Sequence, residues 1–446
     1  MRYVLKVSLI FLFSVISVTG QTAQRNIVYL SLNEVIGISK TENLSLRLKQ
    51  LEYDSQNLEL WKSYSNFLPT VNYQGLATNN LELPVFVFMG QQFVVGTKFT
   101  FQHSLDLTMP IFTGGSRWFN VNIQKDLRKS LNEELKGKEQ EVVLQALQAY
   151  YGIVLANALL TTSEEAVSVA EANLTQVSKH HSAGTATEFD LQRAKAQYAA
   201  SLPGLEKAKA EKIMSMQRLK YLLNMSLDDS LIVTDSLISN DFLRSFKTTS
   251  LEEFKNLSRE NRSDVKSIEY KLKATEQGEN IALGSFAPTI AASANIAHQA
   301  QLDNSHVKWN DYIRSKSISL SLIWPVFEGG RKMINYQQAK IQTEQMKIVL
   351  EQADKGRILD VQENYYGYKE AIKSLESLEE AMIQSKESLR LSNLLYKEGM
   401  STQLDVLNAQ LLNTSNRTQY YQGVFNYNIS QLNLMYSIGL LNKIWE

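Results

Sequence analysis

The sequence predicts a mostly helical fold with a minority of membrane β-strands, in which several chains share one β-barrel and long helices pack as a coiled-coil wall. Three observations lead there. Only 6 of 446 residues are proline, and since an interior proline costs about 3 kcal/mol, helices of unusual length are allowed. Landmarks of the first half recur in the second at one offset. Between the helical stretches of each half lie segments that alternate apolar and polar residues. The 46 basic residues balance the 46 acidic ones, so no broad basic face for nucleic acid is expected. The absence of cysteine excludes disulfides, thiolate metal sites and cysteine nucleophiles.

At the N-terminus, Arg2 and Lys6 precede an apolar run from Val7 to Val18, and Val18-Thr19-Gly20 places small residues before Gln21. This is the layout of a secretory signal peptide over residues 1–20. The alternative is a membrane anchor, but the run of about 12 residues is short of the roughly 20 needed to span. No later uninterrupted apolar segment is long enough either, so no transmembrane helix is expected.

Pro110-Ile111-Phe112-Thr113-Gly114-Gly115 matches Pro325-Val326-Phe327-Glu328-Gly329-Gly330; Tyr150-Tyr151-Gly152 matches Tyr365-Tyr366-Gly367; Gly184 to Asp190 matches Gly399 to Asp405; Tyr221 matches Tyr436. Each pair is 215 residues apart, whereas Phe67-Leu68-Pro69-Thr70 and Phe286-Ala287-Pro288-Thr289 are 219 apart. The first copy therefore has a longer loop between Pro69 and Pro110. A period this long means two halves of one pseudo-symmetric object, not a solenoid. Residues 21–235 form the first structural repeat, 236–250 a linker and 251–446 the second repeat.

Within each half the order of elements is the same. A first helix is expected over Ile27 to Asn66 and over Leu251 to Ser285, then two strands. A helix over Ser116 to His180 or Arg331 to Lys397 follows, about 100 Å long at 1.5 Å per residue. A turn and a last helix close the half. In the second long helix Val361, Tyr368, Leu375, Met382, Leu389 and Tyr396 fall every seven residues, with Ala371, Leu378, Ser385 and Ser392 three later. Such heptads call for coiled-coil neighbours. The narrow seam suits a wall one helix thick with water on both sides.

In the strands, Phe99, Phe101, His103, Leu105, Leu107 and Met109 alternate with Thr100, Gln102, Ser104, Asp106 and Thr108. Ile318, Leu320, Leu322 and Trp324 alternate with serines, and Val71, Tyr73, Ile290, Ala292, Ala294 and Ile296 repeat the pattern. One apolar and one polar face over about ten residues is the pattern of a membrane barrel strand. Four strands cannot close a barrel, and an open edge in lipid leaves backbone groups unpaired, so chains must share one. Pro69, Pro110, Pro288 and Pro325 are expected at helix–strand junctions, where a missing N–H does no harm. The Gly pairs Gly114-Gly115 and Gly329-Gly330 are expected as hinges from strand to helix. Leu81 to Gly90 is apolar for an external loop; it folds over the barrel mouth, touches lipid, or is itself a strand.

On these residues the chain resembles the TolC-like outer-membrane efflux protein family. The resemblance covers the mature chain and rests on the duplication, the two Pro-[Ile/Val]-Phe-x-Gly-Gly segments and the two Gly-x-x-Thr-x-x-Asp tips. It implies a homotrimer whose 12-stranded β-barrel, four strands from each chain, sits in the outer membrane and its lipid and is continued by a long α-helical coiled-coil barrel extending into the periplasm. It implies an exit duct for drug efflux or type I secretion, no cofactor, and as partners a periplasmic adaptor (membrane fusion) protein and an inner-membrane RND or ABC transporter. Segment 226–250 would join the halves at an equatorial belt. The other reading is a secreted structural coiled-coil envelope protein without a pore. An enzyme is disfavoured, since no catalytic constellation stands in the sequence.

The tips carry the candidate site residues. Gly184 and Gly399 suit left-handed caps ending the long helices. Thr187 and Thr402 suit N-caps of the returning helices. Asp190 and Asp405 fall in the first turn, where a carboxylate favours the helix dipole. By resemblance the tips also close the pore and meet the adaptor. Asp405 then takes an acidic ring position and Asn408 stands for a second acid. Asp190 with Tyr396 takes the place of a tie between hairpins, and Ser401 stands where an arginine can strengthen it. Of His103, His180, His181, His298 and His306, only His180-His181 is a cluster, and adjacent helical residues point about 100° apart, so no metal site is expected. Pro203, without a counterpart in the second half, should kink its helix.

Overall fold

The structure, a computed structural model, describes residues 27–445; the signal segment expected over 1–20 lies outside them. The chain begins with β1 (Ile27–Tyr29), α1 (Leu32–Glu42) and α2 (Leu44–Ser65). The single helix expected over Ile27 to Asn66 is therefore broken. Asn43 leaves helical dihedrals at φ −65°, ψ 123°, and its side chain accepts from the N–H groups of Ser45 and Leu46. An Asn that caps a new helix offsets the interruption, and its amide also donates to the Leu222 carbonyl at 2.7 Å.

The chain continues through β2 (Thr70–Asn79), β3 (Val85–Phe88), β4 (Gln91–Val94), β5 (Phe99–Thr113), α3 (Ser116–Ser182), α4 (Glu188–Leu222) and β6 (Ser230–Ile232). Then come α5 (Leu251–Asn261), α6 (Ser263–Gly284), β7 (Thr289–Leu302), β8 (Ile313–Ile323), α7 (Arg331–Lys397) and α8 (Gln403–Ser437). The second expected first helix is broken too, at Arg262 (φ −65°, ψ 112°). Its guanidinium is held by Asp264 at 2.7 Å and by Asp360. α3 and α7 are both 67 residues long, and α4 and α8 both 35, with starts 215 residues apart. α1 and α2 correspond in length to α5 and α6 at 219. The extra residues of the first half form the β3–β4 hairpin, so the apolar segment after Leu81 is partly strand.

The four long strands make one antiparallel sheet in the order β2-β5-β7-β8, with β2 and β8 as open edges. Its register sorts the side chains. Val71, Leu107, Ala294 and Ile318 lie in one row across one face. Asn72, Asp106, Asn295 and Ser317 lie in a row across the other. Pro69 and Pro288 immediately precede β2 and β7, and Pro325 follows β8, as expected. Pro110 does not mark a junction. It lies inside β5, beside a register shift between Pro110 and Phe112. β2 ends its pairing at Thr108, so the missing N–H breaks no ladder there.

Gly114 and Gly115 turn the strand into α3 with φ of +61° and +80°. A Cβ on Gly114 would collide with the carbonyl oxygen of Gly284 at the end of α6. This crossing admits only glycine on both sides. α4 runs through Pro203 as one helix.

The apolar core sits midway along the long helices. Leu147, Tyr151, Val361, Tyr368, Leu432 and Met435 pack with Leu243 and Phe254. α3 does contain an 18-residue window apolar enough to cross a membrane. Val143, Leu147, Tyr150 and Ile153 on that helix are buried in the core, which accounts for its composition. The segment joining the halves crosses here. β6 pairs in parallel with β1, and 238–243 is splinted by two fully buried amides of α8. Asn428 accepts from the Asn240 N–H at 2.8 Å and donates to the Ile238 carbonyl at 2.8 Å. Gln431 donates to the Asn240 carbonyl at 2.9 Å and accepts from the Leu243 N–H at 3.2 Å.

Asn428→Leu would take from the half-buried Asn240 N–H and the Ile238 carbonyl their α8 partner, at about 1–3 kcal/mol each. The expected result is a loss of about 2–4 kcal/mol in unfolding free energy and rapid proteolysis within 238–243. An unchanged denaturation midpoint would show that the linker holds itself.

Candidate functional site

Two regions gather the candidate side chains: the helical tip between α3/α4 and α7/α8, and the two faces of the sheet. At the tip, Gly184 and Gly399 have φ of +73° and +74°. The Gly184 N–H donates to the His181 carbonyl and the Thr185 N–H to that of His180. Gly399 and Met400 repeat this with Tyr396 and Leu395. Each long helix so ends in a glycine-capped turn that satisfies its last carbonyls.

The returning helices begin with capping boxes. The Asp190 N–H donates to Thr187 Oγ1 at 3.1 Å, and the Thr187 N–H donates back to the Asp190 carboxylate at 3.1 Å. Asp405 and Thr402 do the same at 3.3 and 2.9 Å. Both aspartates thus have the helix-start role expected of them. The hydroxyl and backbone donors of the threonines hold both carboxyls below the usual aspartate range, so both are charged at neutral pH.

Asp190, Tyr396 and Thr402 line one cleft, together with Gln176, His180 and Thr185. The sequence pairs Asp190 with Tyr396 by resemblance; the chain brings them to the same cleft, with the carboxylate engaged by Thr187. Gln403 is a residue the sequence reading passed over. It lies in the cleft at 8% exposure with both amide atoms buried and without a hydrogen bond. Its only sequence signal is its position beside the cap. Asn408, one turn beyond Asp405, is exposed beside it, while Val406, Leu407 and Ala409 turn inward. Ser401 is half-buried, and its hydroxyl bonds only locally, donating to the Thr402 carbonyl at 3.3 Å and adding to the donors that hold the Asp405 carboxyl down.

The polar face of the sheet carries Ser, Thr, Asn and Gln around Asp106, which accepts from Ser104 at 2.8 Å and from Asn295. Ser293 and Ser319 join across β7 and β8 at 2.7 Å. On the apolar face the register sets His103 directly opposite His298, so His180-His181 is not the only histidine cluster. Sequence distance hid this pair; only the pairing of β5 with β7 reveals it. His103 is hydrogen-bonded to the hydroxyls of Tyr73 at 2.7 Å and Tyr312 at 3.2 Å. Trp309 stacks on His298 with ring centres 5.7 Å apart.

Between tip and sheet, Glu134 on α3 is gripped by Lys271 of α6 and Lys49 of α2. Burial pushes its carboxyl up, but Lys271, Lys49 and Ser267 outweigh that and hold it at about 2. A lowered folded value contributes stability above the ordinary glutamate range that is lost as pH falls toward 2.

The profile of the family described as outer membrane efflux protein matches residues 43–225 and 255–440. Outer membrane protein TolC of Escherichia coli (strain K12) is 21% identical over 357 residues, covering 76% of this chain and 69% of that protein. Among solved structures, CusC superposes with a TM-score of 0.78 at 17% identity, covering 92% of each chain. The open state of the Neisseria gonorrhoeae MtrE outer membrane channel superposes with a TM-score of 0.71 at 19% identity, covering 92% of this chain and 89% of that one.

Proposed function

Since this chain belongs to the outer membrane efflux protein family, we propose that three copies of it form the exit duct of a tripartite export system, a passive channel gated at the helical tips. Residues 21–235 and 251–446 act as two repeats joined at 236–250. The observation that carries the trimer is an uncovered surface. Within the chain α3, besides its returning helix α4, packs against both α2 and α6, whereas α7, besides its returning helix α8, packs against α5 and α6 and has, among the described residues, no neighbour in the place that α2 would take from a second copy. On that side Ile334, Ile341 and Ile348 form an exposed heptad row, and α2 exposes Leu44, Leu51 and Leu58 at the same interval. Position also supports it. Ser267, the equivalent of Leu48 at the 219 offset, is 2% exposed beneath α3, while Leu48 itself is 63% exposed. α7 of one copy against α2 of the next completes the helical wall, and β8 against β2 closes a barrel of twelve strands.

In that barrel the apolar sheet face meets lipid and the Ser/Thr/Asn/Gln face lines the duct. Such a lining suits passage of varied solutes, and this reading makes the protein a channel and not an enzyme. A pore-less scaffold would have no use for a sheet with one apolar face. The tips, with Gly184, Thr187, Gly399, Ser401 and Thr402, would meet a periplasmic adaptor, and an RND or ABC transporter in the inner membrane would supply the energy.

Asp405, once per copy, would ring the narrowest point. Ser401 and Asn408, uncharged, leave that single ring to set selectivity. In planar bilayers the protein should conduct and prefer cations, and Asp405→Asn should remove most of that preference. Because Thr402 holds the Asp405 carboxyl down, the preference should persist below about pH 4. Failure to conduct would refute the duct; unchanged selectivity in the variant would leave Asp405 as a cap alone.

A further inference from the structure

We propose that the outer rim of the apolar sheet face binds the phosphorylated sugar headgroup of lipid A, through Arg314 and Lys316. The inference rests on the barrel reading above, in which this face meets lipid. The sheet's two ends are told apart by their connections. Asn66-to-Pro69, Gly114-Gly115, Ser285-to-Pro288 and Pro325-to-Gly330 join the strands to the long helices. The opposite ends, at Asn79, Phe99, Leu302 and Ile313, are therefore outermost.

Arg314 and Lys316 are near that outer end of β8, facing the same way as Ile318, Leu320 and Leu322 below them. Among the described residues they are the only formally charged side chains on the apolar face of the four strands. Both are exposed, and neither meets a carboxylate. Closure of the barrel would not change this, because β2, the strand that would lie beside β8, has no acidic residue between Thr70 and Asn79. Two unpaired cations on a lipid-facing surface are costly unless an anion meets them at the membrane border.

The rings around them narrow the choice of anion. Arg314 lies directly opposite His298, and Lys316 opposite Ile296. The loop before β8 folds back over this face, so that Trp309 stacks on His298 and Tyr312 bonds His103. Trp309 and Tyr73 remain 72% and 69% exposed. Aromatic side chains concentrate at membrane borders, and their flat exposed faces pack well on sugar rings. A glycerophospholipid offers phosphate but no sugar. Lipid A offers phosphates on a disaccharide, which uses both the cations and the rings. Arg314 and Lys316, two residues apart on a strand, stand about 7 Å apart, so both can reach one headgroup.

The test uses the purified full-length protein in detergent, checked for its trimer, with bound lipid counted by native mass spectrometry. Diphosphoryl lipid A, dephosphorylated lipid A and phosphatidylglycerol are supplied at equal ratios. At about 1 kcal/mol per basic group, Arg314→Gln with Lys316→Gln should lower retention of diphosphoryl lipid A by roughly thirtyfold. Dephosphorylated lipid A should bind the wild type as poorly as the intact lipid binds the variant. Arg314→Lys with Lys316→Arg should restore most retention, and Trp309→Ala should weaken lipid A binding but not that of phosphatidylglycerol. Equal retention by wild type and double Gln variant, both trimeric, would overturn the lipid site alone. Phosphatidylglycerol bound as tightly as lipid A would overturn the choice of headgroup. A wild-type protein that runs as a monomer would overturn the barrel reading and this site with it.

Discussion

Ile341→Asp combined with Ile348→Asp is expected to leave the purified protein monomeric. Both isoleucines are more than half exposed in the single chain, at 58% and 57%. Ile341 and Ile348 lie about 160° and 140° around α7 from Thr343, which is buried. α7 therefore has two seams on opposite sides, and only one is used within the chain. That is the arrangement of a wall one helix thick, in which each helix needs a neighbour on either side. Burying an isoleucine against the next copy contributes about 1.5–3 kcal/mol. A carboxylate at the same place loses that and adds the cost of an unpaired charge in a dry seam. With two sites at each of three interfaces, the expected loss exceeds 10 kcal/mol, on the order of a whole domain's stability. Gln342→Asp, pointing about 100° away from Ile341, should leave the trimer intact. Light scattering in detergent distinguishes the outcomes. A double Asp variant that still runs as a trimer would place the interface elsewhere.

The second large effect is expected at the tips. In the proposed gate the Tyr396 hydroxyl of one hairpin donates to the Asp190 carboxylate of another; Tyr396→Phe with Asp190→Ala should then raise time-averaged conductance by roughly tenfold, the effect of losing one charge-assisted bond of about 1.5 kcal/mol. The two residues line the same cleft with the unpartnered Gln403. Asp190 also completes the capping box of α4 by accepting from the Thr187 N–H, and an alanine there loses that bond. Asp190→Asn with Tyr396→Phe keeps a capping oxygen while removing the charge, and should raise conductance similarly. If both double variants keep wild-type conductance with intact trimers, Asp190 is a helix cap and no part of a gate.

The sequence alone determined what depends on neighbours along the chain. Strand faces follow from a period of two, and the sheet register agrees with the alternation at Leu105, Leu107, Ile318 and Leu320. The seam of α7 follows from heptads; Val361, Tyr368, Ala371 and Ser385 are all buried. The glycine caps at Gly184 and Gly399 follow from the rarity of side chains at positive φ. Tertiary structure alone decided what depends on which distant segments meet. Asn43 and Arg262 break helices whose apolar spacing continues across the break, because their side chains find partners near residue 222 and at Asp360. Pro110 reads as a boundary, yet it lies in a strand because its edge partner has already ended. Asn428 and Gln431 look like ordinary polar helix residues until a linker nearly 190 positions away lies against them. The meeting of His103 with His298 beside Arg314 depends on strand pairings that no local period encodes. Local propensity selects the elements, but register and partner choice are set by the free energy of burying whole faces together.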